Sequence, residues 1–162
     1  MTGFEYAFAG LLISEGFIED GLTVIRAIRN RYDGEKRNPW NEIECGSNYA
    51  RPMANFALLP IFSGFDFDLP NGHIGFSPII SGSFRCLWSL GTGWGEYIKT
   101  ESHHRITIED GVLELNSISL KSIGSVKQVR IDGRAIPFRQ DGSQLFFENA
   151  QIKKELRIEV QP

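Results

Sequence analysis

Glu42 and Arg51 stand nine residues apart in a polar stretch that concentrates the chain's chemically versatile side chains. It runs Arg31-Tyr-Asp-Gly-Glu-Lys-Arg-Asn-Pro-Trp-Asn-Glu-Ile-Glu-Cys-Gly-Ser-Asn-Tyr-Ala-Arg51. A carboxylate such as Glu42 accepts hydrogen bonds from two adjacent hydroxyls, and bonds to an ionised acceptor are short and strong. Arg51 donates from a rigid planar fork, so it can hold that carboxylate in place or bond a hydroxyl itself. This is chemistry suited to a polyhydroxylated ligand. The structural alternative is a plain ion pair tying a loop to the next helix. Glu44 lies two residues beyond Glu42, on the same side of an extended segment. It can join Glu42 as an acid/base pair, cap a helix or pair with Arg37. Trp40 can stack on an apolar ring face or pack the loop onto a core. Tyr49 can donate into a pocket or lie half-buried on the following helix. Asn38 and Asn41 can hold the loop through backbone bonds.

The elements around this loop follow from periodicity. Residues 4–15 read as a helix with Phe4, Ala7, Phe8, Leu11 and Leu12 on its buried stripe, stopped by Gly16. Residues 17–32 read as a second helix that buries Leu22, Ile25 and Ile28 and is broken by Asp33-Gly34. Arg26, Arg29 and Arg31 near its end suit the helix dipole. A third helix is expected from Ser47 or Asn48, with Pro52 in its first turn, Met53, Phe56 and Ala57 on its apolar face, and Pro60 ending it. The first two helices carry large apolar residues on more than one face, so they call for neighbours on both sides.

From about residue 70 the period changes to two. Strands are expected at 84–90, 95–100, 105–109, 112–120, 126–131, 145–147 and 156–160. Asp110-Gly111, Asp132-Gly133 and Asp141-Gly142 are hairpin signals. The fold class is therefore α+β: a helical segment over 1–69 carrying the loop, then a β-rich region over 70–162 forming a small antiparallel sandwich or meander. Gly91-Thr-Gly-Trp-Gly95 has no lysine and no following helix, so it is no phosphate loop. Its glycines fit a bulge or tight turn. Trp88 and Trp94 either pack the core or line a face of the sheet. His103-His104 heads a strand, where neighbours point to opposite faces, which argues against a two-histidine metal site.

The 162 residues are 41% apolar and 23% charged, enough to build a core. A net charge of -3 with scattered Lys and Arg argues against nucleic acid as a partner. Cys45 and Cys86 read as free, packing thiols in a reducing compartment. No signal peptide or transmembrane segment is legible, so the expectation is a soluble, cytoplasmic chain. No cofactor is called for.

Several pieces of this sequence resemble the C-terminal part of glycoside hydrolase family 116, which includes β-glucosidases and non-lysosomal glucosylceramidases. They are Thr2-Gly-Phe-Glu-Tyr6, Arg31-Tyr-Asp-Gly34, Asn38-Pro-Trp-Asn-Glu-Ile-Glu-Cys-Gly46 and Tyr49-Ala-Arg51. Gly72-His-Ile-Gly-Phe76 and Gly91-Thr-Gly-Trp-Gly95 extend the likeness to about residue 100. The resemblance implies that the helices are the last ones of an (α/α)6 barrel. It implies that Glu42 and Arg51 contact a sugar in a glucose subsite; Trp40, Glu44 and Tyr49 are further substrate-binding candidates on their side-chain chemistry alone. The family's catalytic glutamate and aspartate lie on earlier barrel segments, so no catalytic residue is assigned to this chain. The expectation is a sugar-contacting portion of a β-glycosidase-like protein that works with the other part of the barrel. A non-catalytic carbohydrate-binding or structural module that oligomerises through its helices is the alternative. A third reading, an unrelated α+β enzyme with Glu42 or Glu44 as general base, needs a second polarised group that the sequence does not name.

Overall fold

The computed structural model describes residues 2–38 and 52–161. The chain forms two compact units, Met1–Phe62 and Ser63–Pro162.

In the first unit, α1 (Thr2–Ser14) and α2 (Ile18–Arg31) form a helical hairpin joined at Gly16, whose φ of 90° favours glycine. Small residues let the two helices approach closely at Gly21, against Ala9 and Ile13. A Cβ on Gly21 would sit 2.8 Å from the Ala9 carbonyl oxygen and 2.5 Å from Ile13 Cγ1, so only glycine lets the helices approach this closely. This explains a correction to the expected stripe. α1 buries Thr2, Tyr6, Ala9, Gly10 and Ile13, while Phe4, Ala7, Phe8 and Leu11 are exposed and Leu12 is only half-buried. Ala9 and Gly10 make the close contact between the buried Tyr6 and Ile13, while Phe4, Phe8 and Leu11 are turned outward. α2 behaves as its pattern predicts, with Ile28 buried and Leu22 and Ile25 half-buried. Glu19 and Asp20 in its first turn and Arg29 and Arg31 in its last complement the helix dipole.

A 3-10 helix (Pro52–Ala57) then leads into α3 (Leu58–Ser63). The expected start at Ser47 or Asn48 lies outside the described residues. Pro60 does not end the helix as expected. It sits in the first turn of α3, where its missing N–H costs no intrahelical bond. Met53, Phe56 and Ala57, the expected buried face, are exposed, and Leu58 is buried in their place.

The second unit is a two-sheet sandwich. Its strands are β1 (Asp66–Asp68), β2 (His73–Phe76), β3 (Phe84–Leu90), β4 (Gly93–Lys99), β5 (His103–Thr107), β6 (Asp110–Gly111), β7 (Leu113–Leu120), β8 (Val126–Ile131), β9 (Arg134–Ile136), β10 (Arg139–Asp141), β11 (Gln144–Ile152) and β12 (Glu155–Val160). One sheet has the order β1-β2-β7-β11-β10, and the other β3-β4-β5-β12-β8-β9 with β6 paired to β4. Ladders are antiparallel except for β2 with β7, which is parallel. Alternation explains the core: Leu156 and Ile158 point inward, as do Trp88, Tyr97, Ile106, Leu113, Leu115 and Leu145. Phe76 of one sheet stacks on Tyr97 of the other with ring centres 3.9 Å apart. The Asp132-Gly133 hairpin has φ of 49° and 83°, as a tight turn matched to strand twist requires. β11 bulges between Phe146 and Ala150, with Asn149 at a φ of 45°.

Candidate functional site

Trp40, Glu42, Glu44, Tyr49 and Arg51 all lie outside the described residues, as does Cys45. What the structure describes is the helical frame from which their loop departs. That frame brings two of the quoted sequence pieces together. Glu5, in Thr2-Gly-Phe-Glu-Tyr6 on α1, pairs with the guanidinium Nη2 of Arg31 at the end of α2. Tyr6, one residue on, is buried. Burial pushes its phenol above the ordinary range, against the pull of the Arg29 and Arg31 charges. The α1–α2 seam therefore holds a carboxylate, a phenol and two arginines where the polar loop begins. Sequence reasoning missed Glu5, Tyr6 and Arg31 as a group. The signal was there: Glu5 stands one turn from the N-terminus of α1, and α1 runs antiparallel to the helix that ends in Arg31.

The first residues of the loop are a hydrogen-bonded turn. The backbone N–H groups of Lys36 and Glu35 donate to Asp33 Oδ1 at 2.9 and 3.1 Å. Lys36 Nζ donates to Asp33 Oδ2 and to the Asn30 carbonyl, each at 3.0 Å. These bonds, led by the Lys36 N–H, hold the Asp33 carboxyl down at about 2. The Gly34 N–H donates to the Arg37 carbonyl at 3.1 Å, and the Arg37 guanidinium lies over the Tyr32 ring at 5.8 Å. The chain thus leaves α2 in a fixed direction.

In the sandwich, the two adjacent histidines face opposite ways, as strand geometry demands. His104 is buried, with Nδ1 2.8 Å from the Tyr97 hydroxyl. Burial, then the charge of Lys99 and the neighbouring His103, lowers it to about 4, so its ring is neutral. Burial also lowers His103, half-exposed beside Thr100 and Ser102. His73 lies between two hydroxyls, Nδ1 at 2.8 Å from Ser117 Oγ and Nε2 at 3.3 Å from Ser119 Oγ, and ties the parallel pair β2–β7. Cys86 is half-buried and its thiol is pushed up to about 11, far from a reactive thiolate. Among the described residues no three His, Cys, Asp or Glu side chains converge as metal ligands, and no helix is long and apolar enough to cross a membrane.

The two tryptophans of the β region part company. Trp88 is in the core and donates its indole N–H to the Thr107 carbonyl at 3.2 Å. Trp94 is 45% exposed. Gly91 and Thr92 form the two-residue turn between β3 and β4, and Gly93 and Gly95 permit close backbone approach. A Cβ on Gly95 would lie 1.9 Å from the Thr107 carbonyl oxygen. No protein-family model matches this chain, and no curated protein matches it.

Proposed function

We propose that this chain supplies the glucose-contacting wall of a β-glycosidase-like site of the family 116 type, through the loop at 31–51, and does not supply the nucleophile or acid/base. The observation that carries this reading is the Glu5–Arg31 pair. It joins two of the sequence pieces that carry the family resemblance and sets them at the root of the loop that holds a third. In this reading Glu42 accepts from vicinal sugar hydroxyls, Arg51 orients it, Trp40 stacks on the ring, and Glu44 and Tyr49 complete the polar lining. The α1 and α2 hairpin is the closing part of an (α/α)6 barrel.

The experiment is a calorimetric titration with a glucose-shaped iminosugar, using the wild-type chain and Glu42→Ala and Arg51→Ala. The proposal expects heat of binding in the wild type and none in either variant. Equal binding in all three would overturn it, as would turnover of an aryl β-glucoside by the chain alone.

A second reading is favoured by a separate observation. Phe4, Phe8 and Leu11 form an exposed stripe at i, i+4, i+7 on α1, with 66%, 54% and 56% of their surface accessible. Such a stripe suits a carbohydrate-binding or structural module that associates through its helices. In the first reading the same stripe is covered by other helices of the barrel.

A further inference from the structure

The Gly91–Gly95 segment places an aromatic side chain on the outer face of the β3-containing sheet. Alternation turns Cys86, Trp88 and Tyr97 toward the core and leaves Arg85, Leu87 and Ser89 of β3, with Trp94, Glu96 and Ile98 of β4, on the other face. Trp94 has short neighbours on every side. It opposes Ser89 on β3 and Asp110 on β6, and glycines flank it in the chain. Leu87, half exposed, is its diagonal neighbour and extends the apolar surface.

Polar groups border this surface in fixed positions. Arg85 grips Glu96 with two nitrogens, Nη2 to Oε2 at 2.7 Å and Nε to Oε1 at 3.1 Å. Thr107 accepts from the Glu96 backbone N–H at 3.2 Å and donates its hydroxyl to Glu109 Oε1 at 3.3 Å. Asp110 is exposed. Nearest the indole the rim carries three carboxylates, Glu96, Glu109 and Asp110, and the guanidinium of Arg85, while Arg105, opposite Ile98 farther along the same face, is paired with Glu155.

We infer that this patch binds the face of a neutral pyranose chain. A broad exposed indole stacks on the C–H face of a sugar ring, burying apolar area without asking the ligand for charge. Preset carboxylates accept from the ring's hydroxyls, and a carboxylate held by a bidentate arginine is ordered before the ligand arrives. The acidic rim repels polyanions. Leu87, Trp94 and the half-buried Ile98 offer too little apolar surface for a stable protein interface, which needs roughly 800 Å² per partner. A sheet face suits an extended, equatorially linked chain lying across its strands. Binding is weak, with a Kd on the order of 1 mM. This surface uses no residue of the loop at 31–51, so it stands or falls separately from the reading given above.

The test follows the indole N–H resonance of Trp94 by NMR while cellopentaose is added to the full chain. The resonance should move and saturate. Trp94→Phe should weaken binding, measured on the Leu87 and Glu96 amides, and Trp94→Ala should weaken it about tenfold or more (about 1.4 kcal/mol). Amide spectra of both variants should otherwise match the wild type, because the indole is on the surface. Loss of the response in Glu42→Ala would assign it to the loop and overturn the inference. So would an unmoved Trp94 resonance at about 10 mM cellopentaose, or an equal response to dextran sulfate.

Discussion

His104 sits in an environment unlike that of its half-exposed neighbour His103. It is buried against the Tyr97 hydroxyl, and its ring titrates near 4 where a free histidine titrates near 6.5. Because the folded value is depressed, the unfolded chain takes up the proton first as pH falls. Stability is intact above about 6.5 and is lost as pH drops toward 4, with a contribution of roughly 3 kcal/mol at most. Thermal melts should show Tm falling steeply from pH 6.5 to 4.5, and His104→Gln should flatten that slope even as it lowers Tm at neutral pH. A slope unchanged by the substitution would place the acid sensitivity elsewhere. Tyr97→Phe leaves His104 Nδ1 without its partner and should cost about 1–3 kcal/mol in denaturant unfolding. The sequence announced the opposite facing of His103 and His104, because strand period fixes it. It did not announce Tyr97 as the partner, since that contact depends on the pairing of β4 with β5.

At the scale of elements, what was legible follows from how local the governing physics is. The strand at 84–90 and the one at 126–131 are where alternation placed them, and the Asp132-Gly133 turn has the positive φ values its residues favour. β1, β2, β6, β9 and β10 were not foreseen, and Asp110-Gly111, expected as a hairpin turn, is itself the strand β6 paired to β4, with β5 and β7 in different sheets. β1, β9 and β10 are three-residue strands, too short to show an alternation, and each pairs with its chain neighbour in a hairpin, whereas β2 and β6 owe their partners β7 and β4 to long-range pairing. The parallel β2–β7 ladder is of the same kind, since no local signal encodes it. The buried face of α1 was misassigned because hydrophobicity alone points to Phe4, Phe8 and Leu11. The helix instead buries the side with Tyr6, Ala9, Gly10 and Ile13, where Gly21 admits the Ala9 backbone. The glycines near Trp94 give a direct test of this close-approach argument. Gly95→Ala drives a methyl into the Thr107 carbonyl and should destabilise by about 1–3 kcal/mol or more. Gly91→Ala meets nothing within 4 Å and should stay within about 0.5 kcal/mol. Chemical denaturation of the two variants checks both values, and equal losses would refute the geometry.

At the scale of the whole molecule, the helical unit shows an apolar stripe that water does not favour. Sedimentation over a range of concentrations should reveal self-association of the isolated chain, and Phe4→Ser with Phe8→Ser should abolish it while leaving the helical circular dichroism unchanged. A concentration-independent monomer would remove the module reading that depends on this face. The candidate sugar residues were named through a family resemblance together with what their side chains can do, and their arrangement is not a property of spacing. The structure describes the root of their loop, fixed by Glu5–Arg31 and by the Asp33 turn, and not residues 39–51. The central claim is that this loop meets a sugar. The most direct measurement is a backbone amide NMR titration of the full chain with glucose, reading Trp40, Glu42 and Arg51. The account predicts saturable shifts at these amides that vanish in Glu42→Ala. Amides of 39–51 that stay still at saturating glucose would contradict it.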